Sequence, residues 1–456
     1  MQLFSLRFPV SISFVTILFS LFSCSENTNS SQNNSEIQEV DSLIEPDQKA
    51  NERVWEKGIL AEDQEQAWYI PTGLQAKDSV VCILFFDPQG DGKKPLGLYK
   101  QLAEKHKIIL VGSKKSKNGM GLDEAKAIAA QLLREVNSGS GFKRIAFYVA
   151  GFSGGAKVAL HAANGLSELK GVLYSGAASL SSTPRKPMFG FAGNMDMNLA
   201  DLVQFDASLP TEVPHFLKFW NGKHEWPVAE VFNSGLEWIK IKENVGFGAL
   251  EKRRTDLQFK ARRTNNLLEK EALLLEAKFL GHELSRKDLD NSDLDILRTR
   301  PAFVAAKTAL NQELTDELAL KDFYSPAFFD KDINWWGKEI SELKAHKKHK
   351  SGNLQDRVLG FFSLASYSLA NKALQEQDEK LASKILEIYQ LSDPQNNEQA
   401  YLRAVLAARM GQDIPVFESL REAKTLGFKD KPRILQQLEF QKFADNLNFK
   451  KILEGM

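Results

Sequence analysis

Arg144-Ile145-Ala146-Phe147-Tyr148-Val149-Ala150-Gly151-Phe152-Ser153-Gly154-Gly155-Ala156-Lys157-Val158-Ala159-Leu160-His161-Ala162-Ala163 is the stretch on which the fold turns. Residues 145–150 form an unbroken apolar run, the pattern of a strand covered on both faces. Residues 156–163 are mostly small and apolar and continue as a helix. Between the two lies a Gly-x-Ser-x-Gly motif, Gly151 to Gly155. That motif is weak alone, because Gly and Ser are common residues. Its position between a strand and a helix is far more specific. A serine on a sharp strand-to-helix turn needs flanking glycines so that the two elements can approach closely. The helix N-terminus beside it favours developing negative charge. The plain alternative is a Gly-rich turn that binds a phosphate or nothing.

Outward from this stretch the chain alternates strand and helix patterns. Val80–Phe86, Ile108–Val111, Arg144–Ala150, Gly171–Ser175, Met188–Ala192 and Phe216–Trp220 read as six strands, and Leu122–Val136 reads as a helix. Trp68-Tyr69-Ile70 adds an expected antiparallel edge strand. The pattern predicts an α/β fold with a mainly parallel sheet flanked by helices.

A serine hydroxyl is a poor nucleophile without a base, and the base needs an acid to orient it. Asp196 follows the fifth strand and His224 the sixth, so both fall at the same sheet edge as Ser153. The chain order Ser, Asp, His is one that such sites use. Among the seven His, His106 and His215 precede strands at the opposite edge, and His161 reads as a packed helix residue. Asp201 and Asp206 read as solvated charges on a helix face. The expected oxyanion donors are the N–H of Gly154 and one from Asp87-Pro88-Gln89-Gly90-Asp91-Gly92, at Gln89 or Gly90. A Pro-Gly turn without a role is the alternative for that loop.

Four segments carry a resemblance: Phe85–Gly92, Gly151–Ala156, Ala192–Asn198 and Gly222–Pro227. They resemble the α/β-hydrolase domains of the esterase and polyhydroxybutyrate-depolymerase-like group, above all bacterial proteins that append tetratricopeptide repeats to such a domain. The resemblance spans about two-fifths of the chain. It implies Ser153 as nucleophile, Asp196 as acid and His224 as base. It also departs from the family at Gln89, where the pattern often has His.

The N-terminus reads as an address. Arg7 precedes an apolar run from Ile12 to Phe22, short for a membrane span, which ends at Leu21-Phe22-Ser23-Cys24. This resembles a bacterial lipobox, with Phe22 bulkier than the pattern prefers. Cys24 is then the lipidated residue, and a cleaved signal with a free Cys is the alternative. Residues 25–52 form a polar tether with nothing to bury. Two Cys cannot build a disulfide framework, and Cys82 is expected as a buried thiol in a strand.

From residue 247 the texture is helical. Leu250, Leu257, Ala261, Leu268, Leu275 and Phe279 trace one face of an expected long packed helix. Ala370 and Ala404, Ala382 and Val416, and Leu386 and Leu420 are each 34 residues apart, a tetratricopeptide-like offset. Pro394 ends the first unit, and Phe428 takes its place in the second. Residues 437–453 read as a final helix pair, and Trp335-Trp336 as a packing anchor.

The expected organisation is a lipoprotein signal (1–24), a tether (25–52), an α/β-hydrolase domain (53–245) and a helical tetratricopeptide-like domain (246–456). Lys and Arg total 59 and Asp and Glu total 59, which gives no pull toward nucleic acid. The expected activity is serine hydrolysis of a small-molecule or polymer ester. It needs no metal or organic cofactor, and it takes place at the cell envelope, on an outer-membrane or periplasmic face. The short spacing from Ser153 to Asp196 to His224 leaves little room for a lid. The helical half could roof the site, buttress it or bind a protein partner. A non-catalytic binding module and a peptidase stay open as rival readings.

Overall fold

The computed structural model describes residues 55–179, 185–243, 247–283, 292–347, 353–454 and Met456. Cys24 and the tether lie outside them. Eight strands form one sheet: β1 (Leu60–Glu62), β2 (Gln66–Tyr69), β3 (Ser79–Phe86), β4 (Ile108–Ser113), β5 (Arg144–Phe152), β6 (Leu169–Ser175), β7 (Met188–Gly193) and β8 (His215–Trp220). Their order across the sheet is β1-β2-β4-β3-β5-β6-β7-β8. β1 and β2 pair antiparallel, as do β2 and β4. From β4 to β8 every pairing is parallel. All six expected parallel strands are present. The antiparallel strand near Trp68 is present too, but it is not the edge. The three-residue strand Leu60–Glu62 takes that place.

Parallel strands have helices on both faces, so they carry side chains that are apolar in both directions. β3 shows this: every residue from Val80 to Phe86 is buried. Cys82 lies in it as a buried free thiol, and burial pushes its pKa up. One sheet face is covered by α2 (Leu122–Gly139), α3 (Gly154–Gly165) and α4 (Leu199–Ser208). The other is covered by α1 (Lys93–His106) and α5 (Ala229–Lys242), around Tyr99, Phe232 and Trp238.

The apolar core does not stop at residue 245. Leu257 of α6 (Phe247–Arg263) and Ala277, Phe279 and Leu280 of α7 (Leu267–Glu283) pack on the same sheet face. Phe279 stacks on Phe216 of β8, with centroids 5.6 Å apart. The expected single long helix here is two. Asn266 accepts hydrogen bonds from the N–H groups of Leu268 and Glu269 and so starts a new helix.

The rest of the described chain is helical: α8 (Ser292–Thr299), α9 (Pro301–Asp330), α10 (Ile333–Lys347), α11 (Leu354–Gln375), α12 (Glu379–Ser392), α13 (Asn397–Arg409), α14 (Asp413–Thr425), α15 (Lys431–Gln436), a 3-10 turn (Leu438–Phe443) and α16 (Leu447–Leu453). Asp378, Asn396, Asp430 and Asn446 cap four of these helices with side-chain oxygens, which fixes where the helices begin. Ala370, Ala404, Ala382, Val416, Leu386 and Leu420 are all buried in one core, so the 34-residue offsets fall on equivalent inward positions. Trp336 is buried there and donates to the Ala327 carbonyl at 3.2 Å. Phe428 stacks on Tyr401 with centroids 4.7 Å apart. Among the described residues no helix is long and apolar enough to cross a membrane.

Candidate active site

β5 ends at Phe152 and α3 begins at Gly154, so Ser153 alone turns the chain. It does so at φ 54° and ψ −122°, a region that L-residues with a side chain rarely occupy. Such backbone costs about 1–3 kcal/mol and persists only when the surroundings over-determine it. Here they do. Ser153 N–H donates to the Ser175 carbonyl at 2.8 Å, and Ser153 C=O accepts from Ala156 N–H at 3.0 Å. Backbone proximity requires two of the three motif glycines, and a side chain crowds the third. A Cβ on Gly151 would lie 2.0 Å from the Gly155 oxygen, and one on Gly155 would lie 1.9 Å from the Phe86 oxygen. A Cβ on Gly154 would lie 1.8 Å from Asn118 Oδ1.

Three side chains separated widely in sequence meet at this turn. Ser153 Oγ lies 3.0 Å from His224 Nε2, and His224 Nδ1 lies 2.9 Å from Asp196 Oδ1. Asp196 is buried, whereas Ser153 and His224 are half-buried at the surface. With Asp196 ionised, Nδ1–H donates to the carboxylate, and Nε2 is left to accept from the serine hydroxyl. The Phe152 ring lies against the imidazole at a centroid distance of 4.8 Å. Gly176, at φ 71°, leaves room for it: a Cβ there would sit 3.1 Å from His224 Cε1.

The Asp196 loop between β7 and α4 is tied to the His224 loop after β8. Asn194 N–H donates to the Trp220 carbonyl and Met195 N–H to the Gly222 carbonyl, both at 2.9 Å. Asn198 N–H donates to Asp196 Oδ1 at 2.8 Å, and its side-chain amide donates to the Gly176 carbonyl at 2.7 Å. Asp196, His224 and the loop after β6 therefore form one hydrogen-bonded assembly.

Gln89 and Gly90 are placed otherwise than expected for oxyanion donors. Gln89 N–H donates to Asp87 Oδ1 at 2.9 Å, and Gly90 N–H donates to the Asp87 carbonyl at 3.1 Å. Both groups are engaged inside their own turn, Gln89 by the Asp87 carboxylate and Gly90 by the Asp87 carbonyl. The other Asp87 oxygen accepts from Trp226 Nε1 at 2.8 Å, which links this loop to the histidine loop. Gly154 is the first residue of α3, so helix geometry gives its N–H no partner within the helix.

The remaining candidates fall away from the site. His106 ends α1 and lies 2.7 Å from Asn233 Oδ1, with burial pulling its pKa down. His161 lies 3.1 Å from Asp123 on the outer side of α3, and His215 begins β8 with Nδ1 2.8 Å from the Val213 carbonyl. Asp206 is not the solvated charge its position on a helix suggests: burial raises its pKa, beside His215. Among the described residues, no group of three His, Cys, Asp or Glu side chains is placed to hold a metal ion.

Asp87, Asn118 and Asn198 escaped the sequence reading. Asp87 left a signal, an acid directly after seven apolar strand residues. The two asparagines left none, because their contacts are set by loops that meet only in the fold.

No protein-family model matches the chain, and no curated protein matches it. Among solved structures, it is similar to the crystal structure of esterase PE8, at 14% identity and a TM-score of 0.31, covering 38% of this chain and 96% of that one.

Proposed function

We propose that the chain is a serine hydrolase that cleaves carboxylic esters, tethered to the cell envelope by a lipid on Cys24. The observation that carries the catalytic reading is the unbroken hydrogen-bonded series from Ser153 Oγ through His224 to Asp196, at 3.0 and 2.9 Å. In this mechanism Ser153 Oγ attacks the ester carbonyl carbon while His224 Nε2 takes its proton. The tetrahedral oxyanion is met by Gly154 N–H at the start of α3, where the helix end also favours negative charge. Collapse expels the alcohol, protonated by His224, and leaves an acyl-serine. Water, deprotonated by His224, then releases the carboxylic acid and restores Ser153. Asp196 holds the imidazole tautomer throughout.

The preference for esters rests on the resemblance of the four site segments to esterase-like hydrolases. The test is turnover of a p-nitrophenyl acyl ester series beside aminoacyl p-nitroanilides, for the wild type and Ser153→Ala. Ester turnover that Ser153→Ala loses is the expected result. Turnover of anilides alone would make the chain a peptidase. No turnover, with a stoichiometric partner retained on the chain, would make it a binding module. Mass analysis of the mature N-terminal peptide tests the anchor: a diacylglyceryl group on Cys24 is expected, and a free N-terminus elsewhere overturns it.

A further inference from the structure

The acid loop is gripped from outside the sheet. Arg357, on α11, is 2% exposed. Its Nη1 donates to the Asn194 carbonyl at 2.9 Å, its Nε to Glu317 Oε2 at 2.5 Å and its Nη2 to Glu313 Oε1 at 2.7 Å. Lys321, on α9, is equally buried and donates to the Met197 carbonyl. Its ammonium also lies 2.7 Å from Glu317 Oε1 and 3.5 Å from Asp201 Oδ2. Glu317 is 0% exposed and joins the two cations. Asn194 and Met197 bracket Asp196, so the carbonyls on both sides of the acid are held by cations from the helical half. Met197 itself packs into the helical core, with its Cβ and Sδ each 3.5 Å from the Cβ position of Gly360.

Stability alone does not account for this cluster. Burying two cations and a carboxylate is costly, and well-packed apolar residues of similar volume commonly hold an interface as firmly. What apolar residues cannot do is donate to two particular carbonyls and so fix the loop between them. A carboxylate displaced by about 1 Å no longer aligns the imidazole, and misplacements of that size cost rates on the order of 10²-fold.

We propose that the helical half is a clamp on the acid loop, with Arg357 and Lys321 as positioning residues that hold Asp196 against His224. This rests on the serine-hydrolase reading. The experiment uses the full chain, with active sites counted by a fluorophosphonate and turnover measured on a p-nitrophenyl ester. In Arg357→Met and in Lys321→Met, kcat per labelled site is expected to fall about 10²-fold with KM nearly unchanged. The downfield proton signal of His224 Nδ1–H should weaken at the same time. Arg357→Lys keeps the charge but cannot serve three acceptors in a fixed fork, so it should fall about tenfold. That variant also guards against the methionine variants failing to fold. If Arg357→Lys is folded and keeps wild-type kcat per labelled site, the clamp is overturned. A wild type that neither labels nor turns over ester overturns the hydrolase reading instead. Persistence of the Nδ1–H signal in a folded methionine variant overturns the clamp whatever the activity.

Discussion

The turn at Ser153 and the aromatic cluster of the helical half are packed by different means. Around Ser153 the backbone itself is packed tightly: glycines at 151 and 155 allow carbonyls to lie where a Cβ would be, within about 2 Å of it. In the helical cluster around Trp336 the contacts are between large side chains. Trp336 meets Phe362 edge-on at 5.0 Å and Phe328 at 4.7 Å, with Tyr324 beside Phe362 at 4.8 Å. Close backbone packing fixes where a few atoms of the turn stand, whereas aromatic packing supplies large apolar burial. Replacing a polar side chain that this turn positions should therefore reach the rate without melting the protein. Damage to the second should melt the protein and leave the rate per intact site largely alone. Arg357 and Lys321 are the exceptions, because they reach from the helical half to the carbonyls beside Asp196.

The largest effect is expected at the acid. Asp196→Asn keeps the shape but allows the wrong imidazole tautomer, and kcat should drop on the order of 10⁴-fold while the melting temperature barely moves. Steady-state kinetics beside calorimetry checks both parts, and a large melting shift with a modest rate loss would break the comparison. Next comes Phe362→Ala, which removes the ring at the centre of the helical aromatic cluster. It should cost about 3–5 kcal/mol in denaturant unfolding, with kcat per labelled site near wild type. Asn396→Ala removes the cap on α13 and should cost about 1 kcal/mol in the same assay.

The smallest effect belongs to His106. Burial holds its folded pKa below the ordinary value of 6.5, so the folded state favours neutral imidazole. Its contribution is complete above about pH 6.5 and is lost as pH falls through the lower folded value. Unfolding midpoints at pH 7.5 and 5.5 should therefore drift apart more in the wild type than in His106→Gln. Equal drift in the two would remove His106 from the account.

The sheet was largely legible in the sequence because parallel strands buried on both faces are continuous apolar runs, as in Val80–Phe86. β1 was not, being only Leu60–Glu62 at an edge. The positions of Ser153, Asp196 and His224 followed from loops at one end of such runs, and the three side chains do meet. The oxyanion loop misled, because which N–H a turn engages is set by its folded geometry, here the bonds of Gln89 and Gly90 to Asp87. The break at Asn266 was signalled by Thr264-Asn265-Asn266, yet apolar spacing continues across it and hid the turn. The grip of Arg357 and Lys321 on the acid loop had no local signature at all. A charged residue in a helix reads as solvated until a distant carbonyl is known to face it.

The most direct test of the catalytic account is reaction of the folded chain with a fluorophosphonate, followed by peptide mapping. One adduct per chain on Ser153 is predicted, absent in Ser153→Ala and strongly slowed in His224→Ala. A folded wild type that takes up no probe, or equal labelling of wild type and Ser153→Ala, would contradict it.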